Sequence, residues 1–402
     1  MELKGFSLKR DEATVGLFNE SFPPVMDGVS VCVENYAYWL QKMVGNVSVI
    51  TPKVPGTDYD KLPYEVLSYF SFPVPKRPPY VTGIAEIDPV FLANLFKKRF
   101  KIVHAHGPFG SGSVGQKVAR MQGIPMVATF HSKFRDDFSR VFTKPIVDII
   151  IKYIIDFFES ADLVWVPQES VIDVIREYGF KGHVEVMDNG SDLVADYPEK
   201  FFVDARNALG IKPEEFVMLF VGQHIWEKNP RLIIDALARM NDVPFKMFFV
   251  GQGYAEQAMK DLVTEKGLES KVCFTGNIGD RKQLTQYYAA ADLFLFPSLY
   301  DNAPLVVREA AALHTPAVMA EGSTASTILT DGENGFLVKN DPADMEQKLR
   351  ELMADPERIR KAGIQASKTI VRSWEDCVGE ALDRYNVLLK SRNLPTIERL
   401  SE

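Results

Sequence analysis

The chain has 402 residues, 46% of them apolar and 25% charged, with a formal net charge of −8. That length exceeds what one hydrophobic core normally supports, so two domains are expected, and the acidic balance argues against a general nucleic-acid binder, which carries a basic footprint. Three cysteines, Cys32, Cys273 and Cys377, lie far apart without CxxC spacing; they indicate neither a disulfide framework nor a zinc site and fit a reducing cytoplasm.

The N-terminal stretch "MELKGFSLKRDEATVGLF" carries charges throughout, so no signal peptide is expected. From residue 14 short β-rich runs alternate with helical stretches: "TVGLF", "VSVCVENYAYWLQKM", "VSVIT", then "KIVHAH", "PMVATFH" and "DLVWVP". Such runs read as buried strands joined by helical crossovers, which implies a parallel sheet. The most apolar run, "IVDIIIKYIIDFF", is too short to span a bilayer and is interrupted by Asp148, Lys152 and Asp156. It is expected as a helix buried beside the sheet, with a helix lying on a membrane surface as the alternative.

A polar, weakly periodic stretch places a hinge near residues 192–205, and the strand pattern restarts at about residue 216 with "FVMLFVG", "FKMFFVG", "KVCFTG", "DLFLFPS", "PAVMA" and "GFLVK". The tail from Ile370 to about Ser391 has Trp374, Val378, Leu382, Tyr385 and Leu388 at helical spacing. The expected fold is therefore α/β, with two Rossmann-like doubly wound parallel-sheet domains facing across a cleft. Ligands bind such sheets at the switch points beyond the strands' carboxyl ends. The boundaries are 1–195 together with a C-terminal helix at about 370–402, and 205–369.

One window carries chemistry. In "PSLYDNAPLVVREAAALHTP", Pro304 is placed as the first helical residue, with Asp301 or Asn302 before it as a cap. The free amides near Ala303, Leu305 and Val306 would then form an anion site, flanked by the carboxylates of Asp301 and Glu309. The window is equally compatible with Asp301 as a plain cap and Glu309 as a solvated helix residue. Lys228, in "FVGQHIWEKNPRLIIDAL", follows the first strand of the second half and is placed to reach the same phosphate, although a lone lysine near a turn is more often solvated.

The ordered motifs "GQHIWEKN", "VGQGY", "FTGNI", "FPSLYDNAPLVVREA" and "DGENGF" resemble the nucleotide-sugar half of retaining glycosyltransferases of family 4, which have the GT-B fold. In the first half, "FNESFPPVMDGVSVCVENYAYWL", "VHAHGPFGSG", "VATFHSKF" and "VMDNGSD" look like that family's phosphate-approaching, acceptor-side and hinge motifs. The resemblance runs from about Val15 to Trp374 and is closest to the glycolipid-synthase branch.

By position, the resemblance implies that Asp301 contacts the hydroxyls of the donor sugar and Glu309 binds the ribose diol. Asn302, Ala303 and the amides of Leu305 and Val306 lie against the diphosphate, which Lys228 neutralises. The backbone near Gly276, Asn277 and Ile278 reads the base, and Gly28 lets the first-domain loop approach the donor phosphate. His131 matches the histidine that bonds the donor sugar near the reacting carbon. Asp27, His106 and Lys133 fall on the acceptor side, while His104 is expected on the opposite strand face from His106. Three positions depart from the family: Gln223 stands where an arginine is typical, Asp301 where the first glutamate of the pair is usual, and Asp27 where a glycine often precedes Gly28.

The implied activity is retaining, metal-independent transfer of a hexose from a nucleotide sugar, UDP-glucose or UDP-galactose favoured, to a membrane lipid, giving an α-glycoside. No cofactor is implied, because the nucleotide sugar is a substrate. The alternatives are a silent sugar-nucleotide-binding subunit and a transferase acting on a soluble or oligosaccharide acceptor. A Rossmann oxidoreductase is disfavoured, since "GQGYAE" lacks the third glycine of the dinucleotide fingerprint. The expected location is cytoplasmic and peripheral on the inner membrane face. Lys76, Arg77 and Tyr80, and Lys97, Lys98, Arg99 and Lys101, are the groups that would meet anionic headgroups, though such runs are more often solvated faces.

Overall fold

The computed structural model describes residues 14–74, 80–193 and 197–400. Lys76, Arg77 and part of the expected hinge lie outside the described residues. The chain divides into two compact units, one of Met1–Asn189 with Trp374–Glu402 and one of Gly190–Ser373.

In the first unit the strands are β1 (Val15–Phe18), β2 (Val47–Pro52), β3 (Glu65–Tyr69), β4 (Ser71–Pro73), β5 (Val81–Gly83), β6 (Ile102–Ala105), β7 (Met126–Thr129), β8 (Leu163–Val166) and β9 (Val184–Val186). β4 and β5 form an antiparallel ribbon, and the other seven make a parallel sheet in the order β3-β2-β1-β6-β7-β8-β9. β1, β2, β6 and β7 are buried at every residue, as strands covered by helices on both faces must be. The chain moves outward from β1 to β2 and β3 and then returns to place β6 on the other side of β1. The switch point therefore lies between β1 and β6.

The second unit holds β10 (Phe216–Val221), β11 (Phe245–Val250), β12 (Val272–Gly276), β13 (Leu293–Phe296), β14 (Ala317–Ala320) and β15 (Phe336–Val338). They are all parallel, in the order β12-β11-β10-β13-β14-β15, which puts this switch point between β10 and β13. Gly251 fixes the close approach of the first two loops: its φ is +130°, and a Cβ there would overlap the Gly222 carbonyl oxygen.

The C-terminal helix Trp374–Ser391 belongs to the first unit and packs on helix Gly28–Val44. Its Tyr385 stacks on Trp165, with ring centroids 5.4 Å apart and planes within 13°.

Two surface expectations change. Helix Lys144–Glu159 buries Val147, Ile151, Ile154, Ile155, Phe157 and Phe158, yet leaves Ile149 71% exposed and Tyr153 50% exposed, with Ile146 beside them. It is thus apolar on two faces, only one of which is core. Its polar residues pair sideways, Asp148 with Arg135 and Lys144, and Lys152 with Asp156. In the basic run, Lys98 is ion-paired to Glu65 at 2.8 Å and Lys101 donates to the Thr396 carbonyl at 2.8 Å, so these two ammoniums are spent inside the fold. No helix among the described residues is long and apolar enough to cross a membrane.

Candidate functional site

At the second unit's switch point, β10 runs out through Gly222 into a 3-10 turn, Trp226–Lys228. Asn229 follows at φ 59°, a left-handed position that Asn tolerates, and Pro230 then opens helix Pro230–Ala238. Asn229 Nδ2 donates to Asn340 Oδ1 at 2.8 Å, which fixes the turn. The turn aims Lys228 across to the loop after β13, where its Nζ donates to both carboxylate oxygens of Asp301 at 2.6 and 2.8 Å. Ser298 Oγ donates to the same carboxylate at 2.6 Å. Lys228 also lies 5.1 Å from the centroid of the Phe296 ring, and only 13% of its side chain is exposed.

Asp301 is therefore not a cap. Helix Leu305–Ala312 starts one residue later than expected, with Pro304 extended at φ −67° and ψ 126° as the N-cap and no side chain capping it. The sequence window contains the capping types, but Asp301's partner lies 73 residues away, out of reach of a local reading. At the helix start Leu305 is buried, Ala303 and Val306 are half-buried and Asn302 is buried, and the N-cap residue Pro304 makes no side-chain cap bond.

Glu309 is 8% exposed, not solvated. Arg281 Nη2 donates to its Oε1 at 2.7 Å and the Tyr288 hydroxyl to its Oε2 at 2.7 Å. Arg281 also grips Asp192. Burial lowers the Arg281 pKa, but Asp192 and Glu309 outweigh it and hold the guanidinium above its ordinary range, while burial and then Glu309 push the Tyr288 phenol up. Sequence reasoning missed Arg281, Tyr288 and Ser298. Arg281 and Tyr288 lie seven apart on helix Arg281–Ala290, hence on one face, the only local signal that they act together. The remaining expected groups of this unit lie on its loops: Gln223 is exposed after β10, and Gly276, at φ 72°, closes β12 ahead of Asn277 and Ile278. His224 does not replace the missing arginine charge. It is fully buried against Phe220, Phe249 and Phe274, with Nδ1 3.5 Å from Glu256.

In the first unit, His106 follows β6 and His131 follows β7, the neighbouring strand. Their rings stack at 5.3 Å and 17°, with His106 Nδ1 and His131 Nε2 3.1 Å apart. Burial lowers all three imidazoles: His104 and His106 well below the ordinary value and His131 to about 4, so His131 is neutral near pH 7. The expectation that His104 faces away from His106 is corrected. A strand's period of two puts both on one face, and their ring centroids are 4.0 Å apart. His104 is nonetheless committed to the fold, bonded by Nδ1 to the Tyr385 hydroxyl at 2.6 Å and by Nε2 to Thr129 at 2.7 Å.

Asp27 caps helix Gly28–Val44, its Oδ1 accepting from the amides of Val29 at 3.0 Å and Ser30 at 2.8 Å. A Cβ added to Gly28, the first helical residue, would meet nothing of the protein within 4 Å. Any collision there is with a ligand alone. Lys133 precedes the short helix Phe134–Ser139 and is half-buried. Glu20, which sequence reasoning did not single out, lies near the start of the loop after β1; its carboxylate accepts from the Ser111 amide and, at 3.3 Å, from the Tyr69 hydroxyl, fixing the start of helix Gly110–Gln122 beside His106.

Residues 26–194 match the family model described as Glycosyltransferase Family 4, and residues 202–369 the one described as Glycosyl transferases group 1. The chain is 24% identical to the alpha-monoglucosyldiacylglycerol synthase of Acholeplasma laidlawii over 94% of this chain and all of that protein. Among solved structures, sucrose-phosphate synthase from Thermosynechococcus elongatus superposes with a TM-score of 0.78 at 21% identity, covering 94% of this chain and 100% of that one. HepE of Anabaena, solved with UDP and glucose, gives 0.75 at 18%, covering 92% and 99%.

Proposed function

We propose that this chain, which belongs to the family 4 glycosyltransferases and has their GT-B fold, transfers a hexose from UDP-glucose or UDP-galactose to a membrane lipid, with retention and without a metal. The observation that carries this reading is the Lys228–Asp301 pair at the switch point, beside the start of helix Leu305–Ala312, whose N-cap residue is a proline that makes no side-chain cap bond. A nucleotide diphosphate needs that combination: a fixed cation, oriented amides for the leaving oxygens, and an adjacent carboxylate for sugar hydroxyls. Preorganised charge of this kind usually contributes more than any other effect to stabilising a departing anion.

In this reading Lys228 and the amides of Leu305 and Val306 take the diphosphate, and Asp301 holds a sugar hydroxyl. Being one methylene shorter than glutamate, Asp301 is drawn back onto Lys228 and Ser298. Glu309, held by Arg281 and Tyr288, presents its carboxylate to the ribose diol, and Gly276, Asn277 and Ile278 contact the base. Gly28 leaves room for the donor phosphate. His131, neutral, bonds the donor sugar, with His106, Lys133 and Asp27 on the acceptor side. The departing phosphate oxygen takes the acceptor proton as the new bond forms on the face it leaves, so no protein base is required.

A lipid acceptor is supported by likeness to the monoglucosyldiacylglycerol synthase and by the exposed apolar stripe Ile146, Ile149 and Tyr153. The test is incubation with each UDP-hexose and diacylglycerol-containing anionic vesicles in the presence of a chelator. An α-glycosylated lipid is expected. Transfer only to water-soluble sugars would overturn the lipid assignment, and nucleotide binding without turnover would favour a silent binding subunit.

A further inference from the structure

Beside the histidine pair lies a thiol that the proposed reaction does not use. Cys32, on the buried face of helix Gly28–Val44, is 1% exposed. Its Sγ and one ring nitrogen each from His106 and His131 all lie within 4.8 Å of one another. Zinc bonds of about 2.0–2.3 Å separate tetrahedral ligands by roughly 3.3–3.8 Å, so from 4.8 Å the set needs to close by at most about 1.5 Å.

A second observation points to a ligand. Nε2 of His106, a residue 3% exposed, has no hydrogen-bond partner among the described residues, a costly state for a buried polar atom. The Cys32 thiol is held only loosely at Asn189, with Sγ 3.7 Å from Oδ1. His131 is less buried than the other two. His104, by contrast, has both nitrogens occupied.

We propose that Cys32, His106 and His131 form a three-ligand site for zinc(II) that silences the enzyme when filled. On binding, the Cys32 S–H bond breaks, a zinc–sulfur bond forms and the proton passes to solvent; both imidazoles bind in the neutral form. The fourth position stays open to water. Filling the site takes His131 away from the donor sugar. That inhibitory consequence rests on the role assigned to His131 above, whereas binding itself does not.

The test titrates the full-length, chelator-treated protein with cadmium(II), whose thiolate complexes absorb in the ultraviolet. One cadmium per chain is expected to give a sulfur-to-metal band that zinc(II) bleaches by competition. The band should persist in the Cys273→Ser/Cys377→Ser double variant, disappear in Cys32→Ser, and need roughly tenfold or more cadmium in His106→Ala. A band that survives Cys32→Ser, or that is absent from the double variant while its melting transition stays cooperative, overturns the site. Zinc(II) should also stop transfer in the native enzyme and not in Cys32→Ser. Binding without inhibition would leave the site standing and overturn the assignment of His131 to the donor sugar.

Discussion

The strand-end loops of the two parallel sheets differ in their electrostatics. Around β10, β12 and β13 of the second sheet stand formal charges held by partners: Lys228 on Asp301, and Arg281 on both Glu309 and Asp192. Beyond β6 and β7 stand the neutral imidazoles of His106 and His131, His106 packed on Tyr36 at 5.4 Å, with the nearby carboxylates of Glu20 and Asp27 engaged by helix-start amides. The first arrangement suits an anion that must be held and released. The second suits uncharged hydroxyl groups, for which an imidazolium would be costly to bury. One fold thus presents two chemistries through the residues at its strand ends.

The largest expected effect breaks the charged region. Asp301→Ala should abolish transfer while leaving UDP affinity nearly unchanged, as measured by turnover and by calorimetry of the same preparation; equal loss of both would refute the division of labour between Asp301 and Glu309. Glu309→Ala should weaken UDP about tenfold and lower stability by roughly 1–3 kcal/mol, since Arg281 and Tyr288 each lose a buried partner. Glu309→Gln, which keeps an acceptor, should recover part of the stability and little of the affinity.

Acid distinguishes the regions next. A histidine lowered by burial binds its proton more readily when unfolded, so stability is full above the unfolded value of 6.5 and falls as pH drops toward the folded value of about 4 for His131. The first unit has three such groups, and the second has His224. Tryptophan fluorescence reports mainly the first unit, through Trp39, Trp165 and Trp374. Its urea midpoint should fall between pH 6.5 and 5, and less steeply in His131→Asn. The smallest effect is that of Tyr385→Phe, which removes one bond to His104 and should cost about 1 kcal/mol with transfer preserved.

What the sequence made legible follows the same physics. Fully buried strands such as β1, β6 and β13 are continuous apolar runs and were readable as such, together with their parallel arrangement. β3 and β9 were not, because they are sheet edges: "EVLSY" and "VEV" are mostly half-buried and carry Glu65 and Glu185. The Lys228 loop and the Asp301 window were both visible as candidates, but their pairing is tertiary, as is the Arg281–Glu309–Tyr288 network. Helix Lys144–Glu159 shows the converse failure: apolar residues around its whole circumference suggested core, while one face of it meets none.

The central claim is that the charged switch point is a nucleotide-diphosphate site. It is tested most directly by thermal unfolding of the native protein and of Lys228→Met with UDP, GDP and the UDP-hexoses in the presence of chelator, because a ligand bound only to the folded state raises the midpoint by mass action. A rise with UDP and its sugars that Lys228→Met removes is the predicted result. No rise with any nucleotide, or a rise that Lys228→Met leaves intact, would contradict it.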